Sequence, residues 1–254
     1  MKKYNTLVLI VLSWALSCSP EYPNFRGADY KASLTHGKRL KEIRVGDTVV
    51  YRFTYDSLNH LIEVNNYKYD TVFTENYEYA DNRLIKRIVG DVFETFDYNS
   101  KGWIISKTAT NDKYNYKAQI IYKYGSSGNI VEAKHLLNGE ITNYTHYKYD
   151  DAGNTLLRKE ILKSGMAWTE HKFTYDHKKN PRRDFTFDFD VVQRNNVTSF
   201  AETPPPISSQ FGRQYQSSYK YDADGYPIKE FREYPYYSDI FAPNKVYTLD
   251  YIYE

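Results

Sequence analysis

Tyr147-Lys148-Tyr149-Asp150-Asp151-Ala152-Gly153-Asn154 carries the reading of the whole chain. It is one copy of a recurring unit: an aromatic residue, any residue, a tyrosine, a short polar turn, then a hydrophobic run. The aromatic pairs are Phe53/Tyr55, Tyr77/Tyr79, Phe96/Tyr98, Tyr122/Tyr124, Tyr147/Tyr149, Phe173/Tyr175, Tyr219/Tyr221 and Tyr251/Tyr253. From Tyr98 to Tyr175 the second aromatics are spaced by 26, 25 and 26 residues. A fixed period of this length signals a repeat architecture. The step from Tyr175 to Tyr221 is 46 residues, so an insertion is expected at about residues 190–216.

Two aromatics at i and i+2 face the same way in a strand. Polar residues such as Asp97, Lys123, Lys148 and Lys220 separate them, which marks a half-buried antiparallel strand. Gly102, Gly128, Gly153 and Gly225 stand four residues past the tyrosine, with Asn59 as a stand-in. A glycine fixed after a polar turn suits a backbone position needing positive φ. Hydrophobic second strands then begin at Leu61, Leu84, Trp103, Ile130 and Leu156. They end in further turns, among them Gly90-Asp91 and Asn138-Gly139. The fold class expected is therefore all-β: a long antiparallel meander of tandem hairpins, about sixteen strands, curled or flattened into a closed or nearly closed sheet.

Tyr147 to Gly153 and Tyr219 to Gly225 resemble the YD repeat of RHS-type proteins, and the likeness extends more loosely over residues 40–254. The pattern also resembles small YD-repeat-like bacterial lipoproteins. The resemblance implies a strip of coiled hairpins. In large RHS proteins activity resides in a separate C-terminal domain, which this reading does not expect here, so the resemblance leaves activity open.

Residues 1–18 read as a lipoprotein signal peptide. Lys2 and Lys3 form a basic start and Leu7 to Leu12 an apolar core. Ala15-Leu16-Ser17 then leads to Cys18, the only cysteine in the chain. Cys18 is the expected lipid attachment site, and the apolar run is too short for a membrane span. Residues 19–37 read as a tether and 38–254 as a single domain. The reading places the protein in the cell envelope, as an outer-membrane lipoprotein held to the membrane by its N-terminal lipid.

The expected sheet closure joins 38–45 to 245–253, because the first strand lacks an aromatic partner and the last lacks a follower. A round barrel of sixteen strands with an apolar lining would enclose water. The sheet is therefore expected to flatten, fold on itself or be plugged.

The net charge of +2 argues against a nucleic-acid partner. No phosphate-binding loop, nucleophile elbow or metal-ligand spacing occurs, so no catalytic, cofactor or metal residue is assigned. Asp56, Asp150, Asp176 and Asp222 recur at one place and read as turn residues. His146 and His171 read as outward polar positions rather than metal ligands. Asp184, Asp188 and Asp190 alternate with phenylalanines as solvated strand positions, Trp103 reads as core, and Arg182-Arg183 as a solvated basic turn. The function favoured is a binding or scaffold module rather than an enzyme; the sequence does not name its ligand, and a glycan or a protein is the partner class it leaves open. Its contacts are expected from the 190–216 and 235–243 loops and nearby tyrosines. The alternatives are a glycan or envelope hydrolase and a lipid or lipoprotein carrier.

Overall fold

A computed structural model describes residues 38–254, apart from 69–70, 182–192, 206–211 and 235–244. The strands are β1 Leu40–Val45, β2 Thr48–Tyr55, β3 Leu61–Lys68, β4 Thr71–Ala80, β5 Arg83–Val89, β6 Val92–Tyr98, β7 Ile104–Asn111 and β8 Tyr116–Tyr124. They continue as β9 Ile130–Leu137, β10 Glu140–Tyr149, β11 Thr155–Leu162, β12 Ala167–Lys179, β13 Asn195–Thr203, β14 Gln214–Tyr221, β15 Pro227–Tyr234 and β16 Lys245–Tyr253. All pairings are antiparallel between sequence neighbours, and β1 pairs with β16 to close a sixteen-stranded barrel. The closing register sets Leu40 opposite Tyr253 and Ile43 opposite Tyr251, so the two ends are halves of one unit, as the sequence implied.

The turn aspartates bond the backbone. Asp56 Oδ1 accepts from the amides of Leu58 and His60 at 2.8 Å each. Asp222 Oδ1 accepts from Asp224 at 3.0 Å and Tyr226 at 2.9 Å. Asn99 replaces aspartate in the third unit and bonds the same two amides. Gly102, Gly128, Gly153 and Gly225 all have φ between 78° and 82°, and Asn59 has 66°.

The tyrosine of each pair has a second task. Tyr55 Oη donates to the Leu40 carbonyl at 2.8 Å, Tyr79 to Leu61 at 2.9 Å and Tyr98 to Leu84 at 2.7 Å. Tyr124 reaches Ile104 at 2.7 Å, Tyr149 Ile130 at 2.8 Å, Tyr175 Thr155 at 2.8 Å and Tyr253 Pro227 at 2.7 Å. Each bond runs to the preceding unit's second strand, and β1 plays that strand for the first tyrosine. One unit swaps roles: Tyr219 takes the Val197 carbonyl, and Tyr221 turns to Asp176.

The first residue of the pair is phenylalanine in three units, where it only fills the interior; where it is tyrosine its hydroxyl can also bond, as Tyr77 does to Glu75 and Tyr251 to Glu230. Phe53, Tyr77, Phe96, Tyr122, Tyr147 and Tyr251 are all buried, packed with Leu40, Ile43, Leu61, Leu84, Ile104 and Ile130 near the Asp-turn end, and Phe173 is buried against Phe200. That end is plugged by its own side chains.

The interruption is shorter than expected. Asn195–Thr203 is strand β13, the second strand of the sixth unit, where the sequence reading placed loop. Its entry is built on Asp176, whose carboxylate accepts from the Asn196 amide at 3.1 Å and from Asn196 Nδ2 at 3.1 Å. Asn154 joins in, accepting from the Asn195 amide at 2.9 Å.

Two outcomes test this account. Tyr124→Phe should lower stability by about 1 kcal/mol, the worth of one net hydrogen bond, read as a lower denaturant midpoint at unchanged slope. Gly225→Ala should cost about 1–2 kcal/mol for a left-handed backbone, and Gly225→Asn clearly less, since Asn59 already occupies the equivalent place.

Candidate binding wall inside the barrel

Each unit carries a β-bulge immediately after its second strand begins. Tyr79 opposes Leu84 but Glu78 opposes Lys86, so Ile85 is the extra residue. The same slip occurs at Ile62, Ile105, Val131, Leu156, Thr198, Ile228 and, at the closure, Lys41. A one-residue slip exchanges the faces of everything that follows. The third residue past the bulge's inward partner therefore points inward, opposite the buried aromatic.

That position is aliphatic in some units and charged in others. Arg87 faces Tyr77, Lys107 faces Phe96, Arg158 faces Tyr147 and Glu230 faces Tyr219. The inward face is thus apolar at the Asp-turn end and charged further along, which corrects the expectation of a uniformly apolar face. Arg87 pairs with Glu75 at 2.8 Å and Glu94 at 2.9 Å, and Lys107 pairs with Glu94 at 3.2 Å. Arg158 pairs with Glu160 at 2.7 Å, and Arg232 with the fully buried Glu230 at 2.7 Å. Glu230 also accepts from Ser217 at 2.7 Å and Tyr251 at 2.6 Å.

On the β12–β16 side the charges are interleaved with rings. Phe173 and Phe200 lie 5.4 Å apart, Phe200 and Tyr215 5.3 Å, Tyr215 and Tyr234 5.7 Å, and Tyr234 and Tyr247 5.6 Å between centroids. The rings form one strip across five strands. Arg232 lies 4.5 Å over the Tyr215 ring. Tyr215, Tyr234 and Tyr247 sit at the strand ends away from the Asp turns and are half-buried.

His171 faces into this wall, not outward as the sequence reading held. Its imidazole lies 5.5 Å from the Phe200 ring, with Nδ1 3.1 Å from Arg158 Nη1 and Nε2 3.7 Å from Glu202. Burial, then the Arg158 charge, hold its pKa below the ordinary histidine value of 6.5. Burial tends to raise the Glu202 carboxyl, but its hydrogen bond to Arg213 at 2.7 Å prevails and holds it low.

His146 is exposed on the outer wall with Glu132 3.9 Å away, so the two histidines are on opposite faces. No group of three or more metal-ligating side chains occurs among the described residues. Trp103 is half-buried at the Asp-turn end, 4.8 Å from Tyr124, and carries Lys101 over its ring at 5.3 Å, so it caps the core instead of filling it. Cys18, Asp184, Asp188, Asp190 and Arg182-Arg183 lie outside the described residues, as do all of 235–243 and parts of 190–216.

In fold the barrel matches a porin-like protein from Bacteroides uniformis ATCC 8492, with a TM-score of 0.55 and 13% identity over 85% of this chain and 95% of that one. The likeness is one of fold. A porin-like protein from Bacteroides vulgatus ATCC 8482 aligns at 0.49 with 10% identity, over 86% of this chain and 99% of that one. A TcdB2-TccC3 structure aligns at 0.31 with 11% identity, covering 84% of this chain and 14% of that one. No family model matches the chain, and no curated protein does.

The exposed residues between the paired aromatics are Thr54, Glu78, Asp97, Lys123, Lys148, Thr174, Lys220 and Ile252. Seven of these eight positions, which ring the outer wall at the Asp-turn end of the strands, are polar.

The lowered His171 pKa sets a direction for pH. The folded state binds that proton less readily than the unfolded chain does, so the contribution is constant above 6.5 and falls as pH drops through the window below it. Melting curves at pH 7.5 and 5.5 should show a smaller acid loss for His171→Gln than for the parent chain.

Proposed function

We propose that this chain is an envelope-tethered binding module whose ligand-contacting surface is the inner wall of β12–β16 at the end away from the Asp turns. The observation that carries this reading is the ring strip from Phe200 through Tyr215 and Tyr234 to Tyr247, set against Arg232. A merely structural plug already exists at the other end in Phe53, Phe96, Tyr122 and their neighbours. A second aromatic array beside buried charges adds desolvation cost that packing alone does not require. Aromatic side chains with a few converging polar groups are the usual lining of ligand sites.

The charged inner wall runs against a lipid carrier, which needs an apolar tunnel. The hydrolase reading calls for a carboxylate with a raised pKa, whereas Glu202 shifts downward. The tether rests on Cys18 and the leader preceding it.

The binding reading is checked with fluorotyrosine-labelled full-length protein in detergent, challenged separately with pools of oligosaccharides, peptides and small metabolites. At least one pool should move the Tyr215, Tyr234 and Tyr247 signals and leave that of Tyr144, on the outer wall, unchanged; silence from every pool removes the reading. For the tether, Cys18→Ser should abolish incorporation of labelled palmitate and shift the protein from the membrane pellet to the soluble fraction. A parent chain that takes no label would overturn it.

A further inference from the structure

The chemistry of the β12–β16 wall narrows the class of ligand. Strand addition is closed to a peptide, because among the described residues each of the sixteen strands has two hydrogen-bonded neighbours and none is an edge. A phosphate-rich polymer needs surplus positive charge. Here the cations are already answered: Arg232 by Glu230 at 2.7 Å, Arg158 by Glu160 at 2.7 Å and Arg213 by Glu202 at 2.7 Å. A basic ligand meets the same balance from the other side. An acyl chain would have to displace water from Glu202, Arg158 and Arg232 without replacing their hydrogen bonds.

What suits the wall is a neutral molecule with flat apolar faces and many hydroxyls. Its apolar faces meet the exposed faces and edges of rings spaced 5.3 to 5.7 Å apart, whose planes are inclined by 23°, 54° and 86° from one pair to the next, and its hydroxyls bridge guanidinium and carboxylate groups between them. We propose that the strip formed by Phe200, Tyr215, Tyr234 and Tyr247, with Arg232 and Glu202 beside it, is a binding site for a neutral oligosaccharide. The proposal rests on the binding-module reading and names its ligand class. The rings belong to four consecutive strands, β13 to β16, so the strip runs across the strands, and the sugar chain lies along the barrel's inner circumference.

The test is calorimetric titration of the full-length protein in detergent with neutral glucan, xylan and mannan oligosaccharides of about four to six units, a length that spans several rings of the strip. At least one should bind. Tyr234→Ala and Tyr215→Ala should each weaken binding about tenfold, the equivalent of one lost stacking contact. Tyr234→Phe and Tyr215→Phe, which keep the ring, should stay within about threefold of the parent. Because an alanine variant can disturb the barrel, saturation-transfer NMR on the parent protein gives an independent readout. Irradiating the tyrosine rings should saturate the C–H protons of the bound sugar.

Binding that both alanine variants leave unchanged, or that transfers no saturation from tyrosine, overturns the site. If neutral oligosaccharides fail while a peptide or a sulfated polymer moves the Tyr215 and Tyr234 signals, the ligand class is wrong and the binding reading survives. If nothing moves those signals, both fall.

Discussion

The tyrosine hydroxyl that reaches back to the preceding unit's carbonyl is the constraint on which the architecture depends. A hairpin meander has regular contacts within each hairpin but little to fix one hairpin's tilt against the next. Seven tyrosines of the repeat supply that fix at the same depth, and Tyr219 supplies it in the unit where Tyr221 is diverted to Asp176. The bond explains why the anchor position is always tyrosine while its partner two residues earlier alternates between tyrosine and phenylalanine. It also keeps the bulge in step around the ring, since the carbonyl it holds belongs to the residue next to the slip.

The interior then has two chemical zones. Near the Asp turns the rings and aliphatics fill the space, as an apolar face must. Further along, Glu75, Arg87, Glu94 and Lys107 occupy one side and Arg158, Glu160, Glu202 and Arg232 another. β5 and β13 are eight strands apart in a ring of sixteen, so the two charged groups face each other across the barrel. Beyond the filled zone the sixteen-stranded ring is lined with paired ions and phenols, so that part of the interior does not depend on apolar filling.

The sequence made the repeat, the turn chemistry and the closure legible, because each depends on local pattern: an Asp-to-Gly spacing, an i, i+2 aromatic pair, and complementary end strands. It hid the inner wall for one reason. Reading β5 by alternation from Leu84 sends Lys86 inward and Arg87 outward, whereas the bulge at Ile85 reverses both. The same reversal applies to Lys107 and Arg158. His171 is different: no slip separates it from Phe173 on β12, so alternation from that buried ring already places it inward, and only its partners Phe200 and Glu202 lie on a strand the sequence does not show. β13 was missed because Asn195, Asn196, Thr198 and Ser199 look like loop, and their pairing to β12 and Asp176 is tertiary. The ring strip draws on four separate strands and has no linear signature at all.

The seam has a kinetic meaning. Every other pairing joins neighbours along the chain and closes a short loop, so hairpins can form locally and add one to the next. Leu40 has to find Tyr253 across the entire repeat array before the circle exists. Until it does, both end strands expose unpaired edges, the state in which such sheets aggregate. The Lys38 pairs with Asp222 and Asp224, and the two-way backbone bonds between Arg39 and Glu254, therefore guard the step where this topology is most vulnerable during folding.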